Sequence, residues 1–377
     1  MAGLLIRLVL AFSTFGVSFD VQAFQLVQQA LHADPLHVYL DSDRWPYPPG
    51  FFPWILVSAR LEILTHIELT DWVQLPSIAA DIAIAWIVQH ELGRRGHEPA
   101  TRLWAAGLVA LGPLFFMVSG FHGQIDSVAM LPAILAVLVW RRGGSRRALH
   151  AGALVAVGGL IKTVPLLAVL ALLPHARSRR EAAGLVSIAV VPVVIAFLPF
   201  ALADPVGVET ALRYRGVPGV GGLSLLVQPD LAETWITGAP QVLNGATRFL
   251  VDRGGLVLAA ALVGALAYLY RRRPEPVVGA AIVYLVVLAF GVNFFLQYLI
   301  WVIPFLLMAG YVREVAAVQL LVVPAVVLVY GRLWPPGPAW ELFAVVSLGL
   351  WACALAGLTL MLRNPLARRP AARPAAG

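Results

Sequence analysis

Arginine clusters divide this chain into apolar runs, and the two features together leave few folds open. The clusters are Arg94, Arg95 and Arg102; Arg141, Arg142, Arg146 and Arg147; Arg177, Arg179 and Arg180; Arg271, Arg272 and Arg273; and Arg363, Arg368, Arg369 and Arg373. Many of the apolar runs between them approach the roughly 20 residues a helix needs to cross a bilayer. Most lack the alternation of polar and apolar faces that a soluble core imposes. Only 12% of the residues are charged, about half the share found in soluble domains. In hydrocarbon every backbone N–H and C=O must find a partner within the protein, so such runs fold as helices. The expected fold is all-α: a polytopic helical membrane protein, with residues 1–377 forming one integral membrane domain and no internal repeat. A net charge of +7 then bears on topology and anionic lipid, not on nucleic acid. Cys353 stands alone, which excludes an internal disulfide framework.

The positive-inside rule places all five clusters in the cytoplasm. With Arg7 and Arg313, 19 of the 26 arginines then lie inside. Each interval between clusters must hold an even number of crossings. Segments 103–119 and 127–140 form one pair, with 121–126 outside. Between the second and third clusters only the 26 residues 149–174 are available, whereas two full spans need about 40. This predicts a short split hairpin of two half-length helices, bent near Lys162 and Pro165. Segments 183–203 and 254–270 flank a long external loop, 204–253. Segments 277–292 and 298–311 form a pair, as do 315–330 and 340–362. The first span, 4–19, leads to an external stretch, 20–72, before 73–92 returns. Within that stretch 51–69 carries Arg60, Glu62 and His66 and reads as an interfacial helix. The total is about twelve crossings with both ends cytoplasmic and a Pro/Arg-rich cytoplasmic tail, 364–377. Val21, Gln22 and Ala23 have the spacing of a signal-peptide cleavage site, but the topology closes only if 4–19 stays as an anchor. Abundant Ala, Val, Leu, Gly, Pro and Arg suggest a GC-rich bacterial genome, hence a bacterial cytoplasmic (inner) membrane.

Charges in or beside a membrane are expensive and need a reason. Asp20 directly follows the first span. It is either a base for an acceptor hydroxyl, its proton affinity raised by apolar surroundings, or the N-cap of the helix that follows. Lys162 is the sole lysine; a compact ammonium at the outer tip of a hairpin suits an anion such as phosphate. The stretch His122-Gly123-Gln124-Ile125-Asp126-Ser127 supplies donors and acceptors suited to sugar hydroxyls or phosphate, while Asp126 and Ser127 can also cap a helix. Arg213, Arg215, Asn293 and Gln297 join the external polar set. Asp81 lies inside a span and reads as a buried polar contact between helices. Asp41 and Asp43 have the spacing of a carboxylate pair able to hold a divalent metal.

In this order the residues resemble the polytopic GT-C glycosyltransferases, in particular the bacterial branch that uses polyprenyl-phosphate sugars, including mannosyltransferases. They are also similar to the second mannosyltransferase of GPI-anchor synthesis. The likeness rests on Asp20 after the first span, the Tyr47-Pro48-Pro49 turn, the motif from His122 to Ser127, Lys162 ahead of a proline-containing apolar run, and a late segment from Gln297 to Pro304. His122 stands where that family usually has tryptophan. The resemblance implies an inverting hexosyltransferase acting at the external face, with a polyprenyl-phosphate sugar as donor, a lipid or glycan as acceptor, and a mannose-like sugar. It implies Asp20 as general base and Lys162, Arg213, Arg215 and His122 as ligands of the donor phosphate. Tyr47, Gln124, Asp126, Asn293 and Gln297 would then bind substrate. A transporter or flippase, or a non-catalytic subunit of envelope-glycan assembly, are the competing readings; the first predicts inverted repeats and access from both faces.

Overall fold

Every regular element in the computed structural model, which describes residues 1–42, 44–214, 216–331 and 339–365, is helical. Helices α1 (Ala2–Ser13), α2 (Ser18–Ala33), α3 (Val38–Asp41) and α4 (Phe52–Thr65) precede the long α5 (Leu69–Arg94). Next come α6 (Pro99–Ala110) and α7 (Pro113–Met117), which runs into a π turn, Val118–His122. α8 (Asp126–Arg142) follows, then the hairpin of α9 (Arg147–Ile161) and α10 (Ala168–Leu172), the latter between two 3-10 turns. After α11 (Arg179–Ala203) come three short helices, α12 (Pro205–Arg213), α13 (Gly222–Val227) and α14 (Leu231–Thr237). The chain ends with α15 (Gly245–Arg272), α16 (Pro276–Phe290), a 3-10 turn (Leu296–Trp301), α17 (Ile303–Met308), α18 (Val312–Gly331) and α19 (Ala339–Arg363). Among the described residues, Leu69–Arg94, Pro99–His122, Arg179–Ala203, Gly245–Arg272 and Trp340–Arg363 are long and apolar enough to cross a membrane. Shorter apolar helices fill the bundle between them.

The split hairpin is present. α9 stops at Ile161, Lys162 adopts an extended backbone, and Pro165 starts a tight 3-10 turn before α10. Two boundaries differ from the hydropathy reading. α1 ends at Ser13 rather than residue 19, because the backbone turns extended at Thr14 and hydropathy does not register such a break. The stretch 204–253 is not an open loop: it folds as α12, α13 and α14, and α15 begins at Gly245. α4 covers 14 residues, about 21 Å, short of the ~30 Å hydrocarbon core. The expected outer turn at 331–339 and the tail fall largely on 332–338 and 366–377, outside the described residues.

One end of the bundle collects the charge. Glu275 accepts from Arg95 at 3.0 and 2.5 Å and from Arg141 at 2.8 Å. Glu91 pairs with Arg95 at 2.8 Å and also with Arg141. Arg147 holds Glu181 at 2.8 and 2.9 Å, and His175 donates to the Pro274 carbonyl at 2.9 Å. The segments that carry four of the five arginine clusters are thus tied together, through Glu91, Glu181, His175 and Glu275. Arg7, counted with them from the sequence, is instead fully buried among helices and adds nothing to that surface. α8 runs 17 residues, about 25 Å, from this end to Asp126, and α9 rises beside it to Lys162. At that opposite end α2, α3 and α4 form an aromatic layer over the tip of α11. Tyr39 packs on Phe197 and Phe200, and Phe24 on Trp45, with ring centroids 5.4–5.7 Å apart.

Candidate active site

The π turn before Gly123 creates the first half of the site. Such turns re-aim side chains that a regular helix would point elsewhere. Gly123 ends it at φ 80°, a left-handed conformation that glycine adopts without strain. His122 is thereby turned toward α2, where its Nε2 meets the Asp20 carboxylate. α2 can come this close because Gly16 has no side chain: a Cβ there would lie 2.3 Å from the Phe121 carbonyl. Asp20 sits in the first turn of α2, where a negative charge is favoured. It is not the N-cap: Val17 holds that position and no side-chain cap bond forms. Burial alone would raise the Asp20 carboxyl. The charge and hydrogen bond of His122, a hydrogen bond from Gln124 and the charge of Lys162 outweigh it, and the group lies below its ordinary value. The expectation of a raised proton affinity is therefore reversed, because the surroundings of Asp20 are polar and cationic rather than apolar.

The second half centres on Asp126 and Lys162. Asp126 opens α8 but does not cap it. Its Oδ1 accepts from Lys162 at 2.8 Å and from the Trp301 indole at 2.5 Å. Lys162 is buried, with its ammonium 4.8, 5.6 and 5.7 Å from the ring centres of Tyr47, Tyr298 and Trp301, inside the range of cation–π attraction. Tyr298 and Trp301 stack at 3.9 Å. Tyr47 joins the halves: burial, then the charges of Asp126 and Asp20, push its phenol well above the ordinary value, so it stays a neutral donor. Tyr214 is also held up, by burial and by Asp20, with Lys162 opposing.

Other expected members stand elsewhere. Arg213 pairs with Glu209 one turn back on α12, at 2.5 Å, with its side chain 75% exposed; it is a surface residue. Arg215 and Asp43 fall outside the described residues. Asn293 donates to the Val217 carbonyl at 2.7 Å and so braces the glycine-rich loop behind Tyr214. Gln297 is buried on the 3-10 turn that carries Tyr298 and Trp301. Asp41 is exposed, and among the described residues no three His, Cys, Asp or Glu side chains are grouped to hold a metal ion. Tyr214, Tyr298 and Trp301 stand beside the expected residues, the last two from within the Gln297–Pro304 segment. The spacing of three between Tyr298 and Trp301 was a visible sign of one shared helical face, whereas nothing local marks Tyr214.

Asp81 is fully buried and pairs with Arg7 at 3.0 Å, as a contact between helices. No curated protein matches this chain. The model of glycosyltransferase family 87 matches residues 45–296, a segment that contains Tyr47, His122, Gln124, Asp126, Lys162, Tyr214 and Asn293, with Asp20 preceding it. A helical membrane bundle with a carboxylate–histidine pair beside a buried ammonium, matched to that family over about two thirds of its length, belongs to glycosyltransferase family 87, whose members are polytopic GT-C-type membrane glycosyltransferases.

Proposed function

We propose that this glycosyltransferase moves a mannose-like hexose from a polyprenyl-phosphate donor to a lipid or glycan acceptor, with inversion, at the external face of a bacterial cytoplasmic membrane. The observation that carries the reading is the juxtaposition of Asp20–His122 with Lys162–Asp126 across Tyr47, at the end of the bundle away from the arginines. A single displacement needs a base for the incoming hydroxyl and a stabiliser for the departing phosphate, and these two pairs supply both.

The acceptor oxygen bonds to the anomeric carbon while the bond from that carbon to the phosphate oxygen breaks. The electron pair leaves on the phosphate, and the acceptor proton passes to Asp20. His122 holds the carboxylate by Oδ2. A carboxylate of low proton affinity is a weak base, so the proton moves late, once the new C–O bond has made the hydroxyl acidic. Lys162 spends one N–H on Asp126, and its others meet the phosphate, aided by the neutral Tyr47 hydroxyl. Asp126 Oδ2, buried without a partner among the described residues, accepts a sugar hydroxyl. Gln124 and Gln297 complete the sugar contacts, Arg215 is a further phosphate ligand, and Asn293 acts through the loop it braces.

The test is transfer by purified protein in nanodiscs, given polyprenyl-phosphate mannose and an extract of bacterial lipids as acceptors. Product is expected from wild type, with Asp20→Asn reducing kcat by about 100-fold or more. Undiminished turnover by Asp20→Asn, or donor moved across the bilayer without transfer, overturns the reading.

A further inference from the structure

Gln74, Ser77 and Asp81 lie on one stripe of α5, spaced by three and four residues. All three are buried, at 2%, 0% and 0% exposure. Buried polar groups are tolerated only when they are partnered, and here the partners converge on one short stretch. The Gln74 amide, in the orientation its neighbours require, donates to the Gly120 and Ser119 carbonyls at 3.0 and 3.1 Å. Ser77 donates to the Gln124 carbonyl at 2.8 Å. Asp81 accepts from Ser119 at 2.7 Å on one oxygen and from Ser127 on the other. Residues 119–127 are the stretch that carries His122, Gln124 and Asp126. Arg7 extends the arrangement into α1, the helix that leads to Asp20. It donates to Asp81 and Ser119 at 3.0 Å each, and to the Gly3, Ala110 and Val109 carbonyls at 2.9, 2.5 and 2.9 Å.

We infer that Gln74, Ser77 and Asp81, with Arg7 as counter-charge, form a clamp of positioning residues that sets the contact between His122 and Asp20. Asp81 grips the stretch at both ends, Gln74 and Ser77 hold its backbone between, and Arg7 ties the whole to the helix before Asp20. A buried ion pair is a poor source of stability compared with apolar packing. What the hydrogen bonds of Gln74, Ser77, Asp81 and Arg7 to residues 119–127 supply is direction, in a segment whose π turn and left-handed glycine leave it no regular ladder. The functional part rests on the reading of Asp20 as the base.

Ser127→Ala removes one arm of the clamp without leaving a buried charge unpaired, and Ser127→Thr restores the hydroxyl. In full-length protein in nanodiscs, Ser127→Ala is expected to lower kcat roughly tenfold with KM for the donor within about twofold, and Ser127→Thr to recover it. Independently of turnover, the ring-nitrogen NMR signal of His122, assigned by its loss in His122→Gln, should move in Ser127→Ala and return in Ser127→Thr. An unmoved His122 signal overturns the clamp, whether kcat falls or holds, because the serine then acts through fold alone. Activity retained in Asp20→Asn alongside a moved signal would instead remove the base and leave the clamp standing.

Discussion

Asp20 owes its low proton affinity to His122, Gln124 and Lys162, which all favour the ionised form. Its folded-state carboxyl titrates below the unfolded value of about 3.9, so the ionised group stabilises the fold above that value. The contribution is lost as pH falls through the lower folded value. Thermal unfolding of wild type and Asp20→Asn across pH should therefore show a gap that is constant near neutrality and shrinks in acid; a gap that widens in acid contradicts the assignment. Lys162 and Asp126 make a sharper case, since both are buried. Lys162→Met strands a carboxylate, with an expected cost of about 3–5 kcal/mol. Adding Asp126→Leu should recover most of that in denaturant melts, yet transfer should stay absent. Recovery of both would reduce the pair to packing.

At the scale of elements, the site depends on two places where a helix gives way. Gly123→Ala forces a side chain into φ 80°, at about 1 kcal/mol. Gly16→Ala drives a Cβ against the Phe121 carbonyl and should push α2 off the His122 turn. Both variants should lose at least tenfold in kcat while keeping a cooperative melt; unaffected kcat in Gly16→Ala would mean that α2 need not approach so closely. The hairpin bent at Lys162 is legible in the sequence alone, because chain length and arginine parity leave no other path. The π turn is not, since nothing in Val118–His122 separates it from an ordinary helical turn. Neither is the partner of Arg7: Asp81 is 74 residues away, and long-range pairing leaves no periodic trace. The surface pair of Arg213 is legible in the sequence, because Glu209 precedes it by four residues, the spacing of an ion pair on one helix face. Asp20 stands out in the sequence as a candidate, but the sign of its shift depends on His122 and Lys162, which come beside it only in the folded chain.

The whole molecule is polarised, with arginine clusters at one end and the carboxylate–lysine site at the other. Cysteines placed at the exposed Arg142 or Arg272 in a Cys353→Ser background should react only with reagents reaching the cytoplasmic side. Cysteines at Tyr214 or Leu36 should react from outside, and the reverse pattern would invert the orientation. Glu275 joins Arg95 to Arg141, so Glu275→Gln should lower stability by about 1–2 kcal/mol without changing KM, the site being a helix length away. The Arg7–Asp81 pair also has a bearing on how the protein is made. At roughly 5–20 residues per second, the 74 residues between them place about 4–15 s between the emergence of the guanidinium and that of its counter-ion. For that interval α1 holds a guanidinium without its counter-ion, the Gly3 carbonyl of its own helix being the one partner already made, and the buried pair closes only once α5 exists. The order of synthesis thus becomes an order of assembly, in which the segment bearing Asp20 is drawn to its place by a helix made later.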